Sequence, residues 1–185
     1  LIARVNFGSC LMDLGETDRA LGQFREAARL RPTPHSYGQG IIASLRAERP
    51  DEAEKTMAEA VGRGFDTPSL HDLQARLAFL RNDEAAMQRQ WTWATGRADA
   101  SVVVRGKANV EAYRGRVRAA RRSAETGDTL GGRTGPSSFG TAVAALWEAE
   151  VGLSPSRPVA IARNQPLTIR MLGAIVLGRV GQVEE

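Results

Sequence analysis

The sequence predicts an all-α protein built from antiparallel pairs of helices, and three observations support this fold class. Acidic-x-Ala triplets begin at Asp18, Asp51 and Asp83, at nearly equal spacing along the chain. A Thr-Pro pair begins at Thr33 and recurs at Thr67, at almost the same spacing. Aromatic residues make up only 5% of the chain while Ala is abundant, which favours close-packed helices over sheets. A period of roughly 33 residues is typical of stacked helical repeats.

The first helix pair is predicted over residues 1–34. Apolar residues follow a helical rhythm over 1–14, and Gly15 then ends the helix, as a glycine after the last turn commonly does. The rhythm resumes over 18–30 and ends at Pro32. Each Thr-Pro pair predicts a helix start, because the Thr hydroxyl can cap free N–H groups and Pro fits the first helical position. Each acidic triplet predicts the start of a second helix, where an acid lies near the positive end of the helix dipole.

The first pair resembles the tetratricopeptide repeat. The small residues of that pattern, which allow two helices to approach closely, are matched by Gly8, Ala20 and Ala27. The large residues that fill the space between hairpins, and the proline that ends the second helix, are matched by Phe7, Leu11, Phe24 and Pro32. The resemblance implies an α-solenoid of antiparallel helix pairs in a right-handed superhelix.

The repeats are predicted to occupy residues 1–126, in units at about 1–34, 35–67, 68–98 and 99–126. The run from Phe65 to Gln90 is more specifically similar to the repeat regions of large bacterial proteins that carry a serine/threonine kinase or winged-helix domain. This resemblance implies that the chain is a segment of such a longer protein. No kinase motif occurs in the chain itself.

The composition changes after the repeats. Residues 127–140 are rich in Gly, Ser and Thr and predict a loop. Residues 141–185 predict degenerate or truncated helical repeats, with helices over about 141–151 and 167–180. The loop nearly matches a phosphate-binding motif, but Arg133 replaces the required Lys and the preceding segment is helical. A linker is therefore the favoured interpretation.

The resemblance implies a concave groove, lined by the first helix of each pair, that binds a peptide or a partner protein. The residues at groove-lining positions are Ile2, Val5, Asn6, Ser9, Met12, Gln39 and Ile42. The predicted function is therefore a protein-interaction scaffold. The alternative interpretation is a regulatory or sensor repeat region for a serine/threonine kinase or a transcription regulator.

An arginine-rich segment over residues 105–122 predicts a second surface. Its basic face consists of Arg114, Arg116, Arg118, Arg121 and Arg122. Clustered cations on a helix can bind phosphate backbones, so nucleic-acid binding is a further alternative. Tyr113 is the one aromatic residue among these cations, and the bases of single strands need several aromatic platforms. We therefore favour a solvated face, or a patch that binds an acidic protein, over a nucleic-acid site.

The rest of the composition argues against a disulfide, a metal site and catalytic activity in this chain. One Cys and two His residues leave no disulfide and no ligand spacing for a metal. No nucleophile–base set occurs, so neither enzyme activity nor a cofactor is predicted. No apolar run reaches the roughly 18 residues of a membrane span, and a cytoplasmic location is expected. Cys10 lies in an apolar helical pattern, which predicts a buried thiol.

Overall fold

The computed structural model describes residues 2–132, 143 and 146–148, and these residues contain helices and turns but no strand. The chain divides into two compact units, Leu1–Gln90 and Trp91–Glu185. The all-α part of the predicted fold class is confirmed. The helices over residues 2–132 are α1 (Ile2–Asp13), α2 (Thr17–Leu30), α3 (Pro34–Arg46), α4 (Pro50–Gly62), α5 (Pro68–Leu80), α6 (Glu84–Trp93), α7 (Ser101–Tyr113) and α8 (Val117–Leu130).

Consecutive helices are joined in pairs by turns of one repeated geometry. Each turn contains a residue in the left-handed region: Gly15 (φ 79°), Glu48 (φ 58°), Asn82 (φ 56°) and Gly115 (φ 72°). The next residue donates its N–H to a carbonyl five residues earlier: Glu16 to Leu11 (2.8 Å), Arg49 to Ser44 (2.9 Å), Asp83 to Ala78 (2.9 Å) and Arg116 to Glu111 (2.8 Å). This is the Schellman arrangement, which ends a helix and reverses the chain within a few residues. The turn therefore recurs at an almost constant spacing along the chain.

The predicted Thr-Pro helix starts are confirmed. Thr33 Oγ1 accepts a hydrogen bond of 3.1 Å from the N–H of Ser36, and Ser36 Oγ accepts one of 3.1 Å from the N–H of Thr33. Thr67 Oγ1 accepts from the N–H of Leu70 at 3.4 Å. In both cases Pro occupies the first helical position, where its missing N–H leaves no hydrogen bond unmade.

The third acidic triplet is out of register with the other two. Asp18 and Asp51 each lie three residues after a left-handed turn residue, whereas Asp83 follows its turn residue directly. The carboxylate of Asp83 caps α6, accepting a hydrogen bond of 2.9 Å from the N–H of Ala86. Fully buried Met87 therefore takes the register position that Ala holds in the two preceding pairs. The period read from the three triplets was wrong at this position.

In the first unit, α1, α3 and α5 pack against one another in succession, and α2 and α4 pack against the odd-numbered helix on either side. The largest fully buried side chains include Phe24, Ile41 and Leu70. Gly8 lies directly over the Phe24 ring, where an added Cβ would be 2.6 Å from a ring carbon. The predicted role of Gly8 as a close-approach residue is confirmed.

One face of α1 is uncovered in the described part of the chain. Four residues at helical spacing, Ala3, Phe7, Cys10 and Leu14, are exposed along it. Phe7 is 48% exposed and Leu14 is 73% exposed. The predicted burial of the Cys10 thiol and the predicted filling role of Phe7 are therefore wrong, because no described helix packs on this side of α1.

In the second unit, α7 and α8 form a helix pair with small buried residues, among them Val103, Ala108 and Ala124. The predicted loop is wrong over 127–130, since α8 continues to Leu130. Gly127 lies close to α7, where an added Cβ would be 3.2 Å from the backbone nitrogen of Arg105. Residues 143 and 146–148 are helical, within the predicted helix over 141–151. The rest of the predicted loop and the predicted helix over 167–180 lie outside the described residues.

Candidate functional site

The predicted groove residues fall at equivalent positions of the odd-numbered helices in the first unit. Asn6 and Gln39 are separated by the same number of residues as the turn residues Gly15 and Glu48. The same separation holds for Ser9 and Ile42. Ile2 is 76% exposed and Asn6 is also exposed. Half-buried side chains are those of Ser9, Gln39 and Ile42. Because α1 and α3 are in contact, these five side chains belong to neighbouring helices of one packed layer.

Two of the predicted groove residues lie in the core instead. Val5 is 8% exposed and Met12 is 9% exposed, and both belong to the hydrophobic cluster around Phe24. The cluster includes Ala43 of α3, and Ile42 packs against it. The packing of α1 against α2 and α3 therefore covers side chains that a single helix would present to solvent. Val5 and Met12 stabilise the face and are not accessible on it.

An ion pair on α5 extends the same layer and was missed by sequence reasoning. Asp72 is 4% exposed, and its Oδ2 accepts a hydrogen bond of 2.8 Å from Nε of Arg76. The Arg76 side chain is 51% exposed. Asp72 corresponds to Val5, and Arg76 corresponds to Ser9. The two members of each pair are separated by the same number of residues as the turn residues Gly15 and Asn82. An acid four residues before an arginine on one helix is the signal that could have found the pair.

The predicted basic face is divided by the fold. Arg116, Arg118 and Arg122 are exposed and Arg114 is half-buried. Arg121 instead turns inward: its Nη2 lies 2.5 Å from Oε2 of Glu148, with side-chain exposures of 14% and 7%. The prediction is therefore wrong for Arg121, whose charge is compensated by a carboxylate 27 residues away.

The second unit contains a pocket of about 670 Å³. One wall is Trp91 together with residues 94–98, and the other walls are one face of α7 and one face of α8. Apolar groups come from Val103, Val104, Ala119 and Leu130, and polar groups come from Lys107, Glu111, Arg122, Ser123 and Thr126. Pockets of about 300–1,000 Å³ with apolar walls and a few polar groups are the usual sites of small molecules.

Each tryptophan of α6 has a cation over its ring. Lys107 Nζ lies 5.3 Å from the ring centroid of Trp91, and Cζ of Arg97 lies 4.0 Å from that of Trp93. Both indoles are half-buried and pack against the cluster of Ala94, Ala100 and Val103. The indole nitrogen of Trp91 is buried and has no hydrogen-bond partner among the described residues.

The charged groups of the pocket differ in how far a nearby partner compensates their charge. Glu111 accepts a hydrogen bond of 2.7 Å from Ser123 and lies 3.9 Å from Lys107. Arg97 forms two hydrogen bonds of 3.2 Å with Asp99, and this interaction lowers the pKa of the Asp99 carboxyl. Arg122 forms no ion pair with any carboxylate in the described part of the chain. The lining therefore carries an excess of positive charge.

A cluster of metal-binding side chains and a membrane-spanning helix are both absent from the described residues. No group of three or more His, Cys, Asp or Glu side chains in that part of the chain could hold a metal ion. No helix of residues 2–132 combines the length and the apolar character that crossing a bilayer requires.

Comparisons with known proteins found no relative. A scan against protein-family models, a search of curated proteins and a search of solved structures each gave no match for this chain.

Proposed function

We propose that the chain is a protein-interaction module, built of tetratricopeptide-like helix pairs, that binds a peptide or a partner protein without chemistry or cofactor. The binding face would be formed by α1, α3 and α5 in the first unit. In this proposal the helix pairs stack as an α-solenoid in a right-handed superhelix.

The observation that carries the proposal is the recurrence of one turn at Gly15, Glu48, Asn82 and Gly115. Four helix pairs with the same turn at nearly constant spacing form a structural repeat, although their sequences differ. In such repeats each pair buries its apolar side against its neighbours, and the odd-numbered helices together form an extended face. The contacts of α3 with both α1 and α5 support that arrangement.

The chemistry of this face suits an extended peptide. Asn6 and Gln39 provide amide groups that can both donate and accept hydrogen bonds to a peptide backbone. Ile2 and Ile42 provide apolar contact, and Arg76 provides a cation held in place by buried Asp72. Such a set, with amides in register on neighbouring helices, favours an extended peptide as the partner.

The experiment that tests this function compares two double variants of the chain. The face variant is Asn6→Ala with Gln39→Ala, and the control is Gln23→Ala with Gln88→Ala on the even-numbered helices. Proteins captured from a lysate by the wild type are identified, purified and titrated against all three chains by calorimetry. We expect the face variant to bind about 2 kcal/mol more weakly, since each lost hydrogen bond contributes roughly 1 kcal/mol.

The control variant should bind as tightly as the wild type. If the control and the face variant lose the same affinity, or if neither loses any, the face of α1, α3 and α5 is not the binding site. Met12 is unsuitable for this test, because it is only 9% exposed and its replacement by a charged residue would damage the core.

A further inference from the structure

The second unit offers a site that is separate from the proposed binding face. The 670 Å³ pocket lies entirely within Trp91–Glu185, whereas the proposed face belongs to Leu1–Gln90. Its function can therefore be tested without reference to the protein partner.

We propose that this pocket binds a small organic anion with a flat apolar body, such as an aromatic carboxylate. The anionic group would pair with Arg122 and Lys107, and the apolar body would lie between α7 and α8, against Val104 and Ala119.

The charge of the lining selects an anion. Lys107, Arg122 and Arg97 line the pocket with a single carboxylate, that of Glu111. Glu111 lies 3.9 Å from Lys107, so its one negative charge offsets a single cation of the lining. Arg122 has no carboxylate partner among the described residues, and a guanidinium binds a carboxylate through two parallel hydrogen bonds.

The walls select the flat apolar body. Val103, Val104 and Leu130 line the pocket with the indole of Trp91, and large rigid apolar bodies gain most from such surfaces. Lys107 Nζ lies over the Trp91 ring, 5.3 Å from its centroid, so the ammonium group and the indole are neighbours in the lining. An inorganic anion would use the cations but would leave the apolar walls uncovered.

The test uses the full chain labelled with ¹⁵N and two matched probes, 2-naphthoate and its neutral amide, 2-naphthamide. The probes share the ring system and differ in charge. Binding is followed through the indole N–H resonances of the three tryptophans, and Trp91→Phe assigns the signal of Trp91. We expect 2-naphthoate to shift the Trp91 signal to saturation and to bind about tenfold more tightly than the amide.

Two variants separate the effect of the pocket's charge from the effect of its shape, and a third is a control on the same helix. Arg122→Gln should weaken 2-naphthoate about tenfold and leave 2-naphthamide unchanged. Ala119→Leu fills the pocket from α8 and should weaken both probes. Arg118→Gln, an exposed arginine on the same helix that does not line the pocket, should change neither.

Three results would overturn the proposal: no saturable shift of the Trp91 signal, equal affinity for the acid and the amide, or the same weakening by Arg118→Gln as by Arg122→Gln. Far-UV circular dichroism of each variant checks that the helices are intact. Since the probes do not involve α1, α3 and α5, failure here leaves the proposed protein-binding function standing, and the converse also holds.

Discussion

The two units use one turn geometry but fill the space between their helices differently. One position on the second helix of a pair is occupied by Phe24, Met57 and Ala124 in turn. Each of these residues lies the same number of residues after the left-handed residue of its hairpin turn. Phe24 is fully buried and Met57 is 6% exposed in the first unit, whereas in the second unit Ala124 is small and Trp147 packs against the cluster that it forms with Ala108. The backbone repeat is therefore compatible with quite different cores.

The cavities of the two units reflect the same difference. The first unit has a groove of about 490 Å³ whose lining includes Phe24, Arg25 and Glu52. Arg25 of α2 forms an ion pair with Glu52 of α4, and Arg63 donates a hydrogen bond of 2.8 Å to Tyr37. In the second unit the walls of the larger pocket are joined by the hydrogen bond from Ser123 of α8 to Glu111 of α7, whereas Arg122 forms no ion pair with a described carboxylate. Small residues at the helix contacts leave space between the helices, and our proposal places a ligand beside Arg122 in this space.

The largest expected effect is the loss of the aromatic filler from the first unit. Phe24→Ala removes a fully buried ring and should lower the free energy of unfolding by about 4 kcal/mol. Urea denaturation followed by far-UV circular dichroism measures this change. Leu30→Ala on the same helix is the control, because Leu30 is 53% exposed and should cost much less. Equal losses would mean that Phe24 is not a core residue.

The second unit should depend on its buried ion pair to a comparable degree. Arg121→Met leaves the Glu148 carboxylate, 7% exposed, without its guanidinium and should lower the stability of this unit by about 3 kcal/mol. All three tryptophans lie in the second unit, so denaturation followed by tryptophan fluorescence reports on it selectively. The matched change Arg118→Met on the same helix should be nearly neutral.

The double variant Arg121→Met with Glu148→Met sharpens this prediction. Removing both charges should restore most of the lost stability, because neither buried charge is left uncompensated. If the double variant is less stable than Arg121→Met alone, the two side chains do not act as a pair.

A smaller effect is expected at the close approach of α1 and α2. Gly8→Ala places a methyl group 2.6 Å from the Phe24 ring and should cost about 1–2 kcal/mol, even after the helix-forming preference of Ala is included. Gly22→Ala on α2 meets nothing within 4 Å and should instead stabilise the chain by about 0.5–1 kcal/mol. Urea denaturation of both variants decides the signs. Two stabilising substitutions would contradict the close packing at Gly8.

The smallest effect concerns an exposed ion pair. The hydrogen bond from Arg29 holds the pKa of Glu26 below its ordinary value. A depressed folded-state pKa stabilises the fold above the unfolded-state pKa, and this contribution is lost as the pH falls through the folded-state value. Arg29→Gln should therefore raise the pKa of Glu26, as measured by NMR titration of the side-chain carboxyl, with little change in stability because the pair is exposed. An unchanged Glu26 pKa would rule out the interaction.

The local features of the fold could be predicted from the sequence because their causes are local. The Thr33 and Thr67 caps, the turn at Gly15 and the small residue Gly8 each depend on a few neighbouring positions. The exposure of Cys10 could not be predicted in this way, since it depends on whether another helix covers α1.

The sites were harder to predict because they combine distant segments. The sequence predicts a surface cation at Arg121, but in the structure the side chain pairs with Glu148, 27 residues later. The pocket draws residues from three segments, and no single helix carries its signature. The sequence predicts Gly127 in a loop, whereas in the structure its lack of a side chain lets α8 approach the backbone of Arg105.

Hydrogen exchange of the backbone amides in the free full chain tests the central contrast most directly. Large buried side chains hold α2 and α3 in the first unit, whereas small residues and compensated charges hold α7 and α8. We expect the amides of α2 and α3 to be the more protected, with a higher free energy of opening than those of α7 and α8. Equal or greater protection of α7 and α8 would contradict the account, because the second unit would then be the better packed of the two.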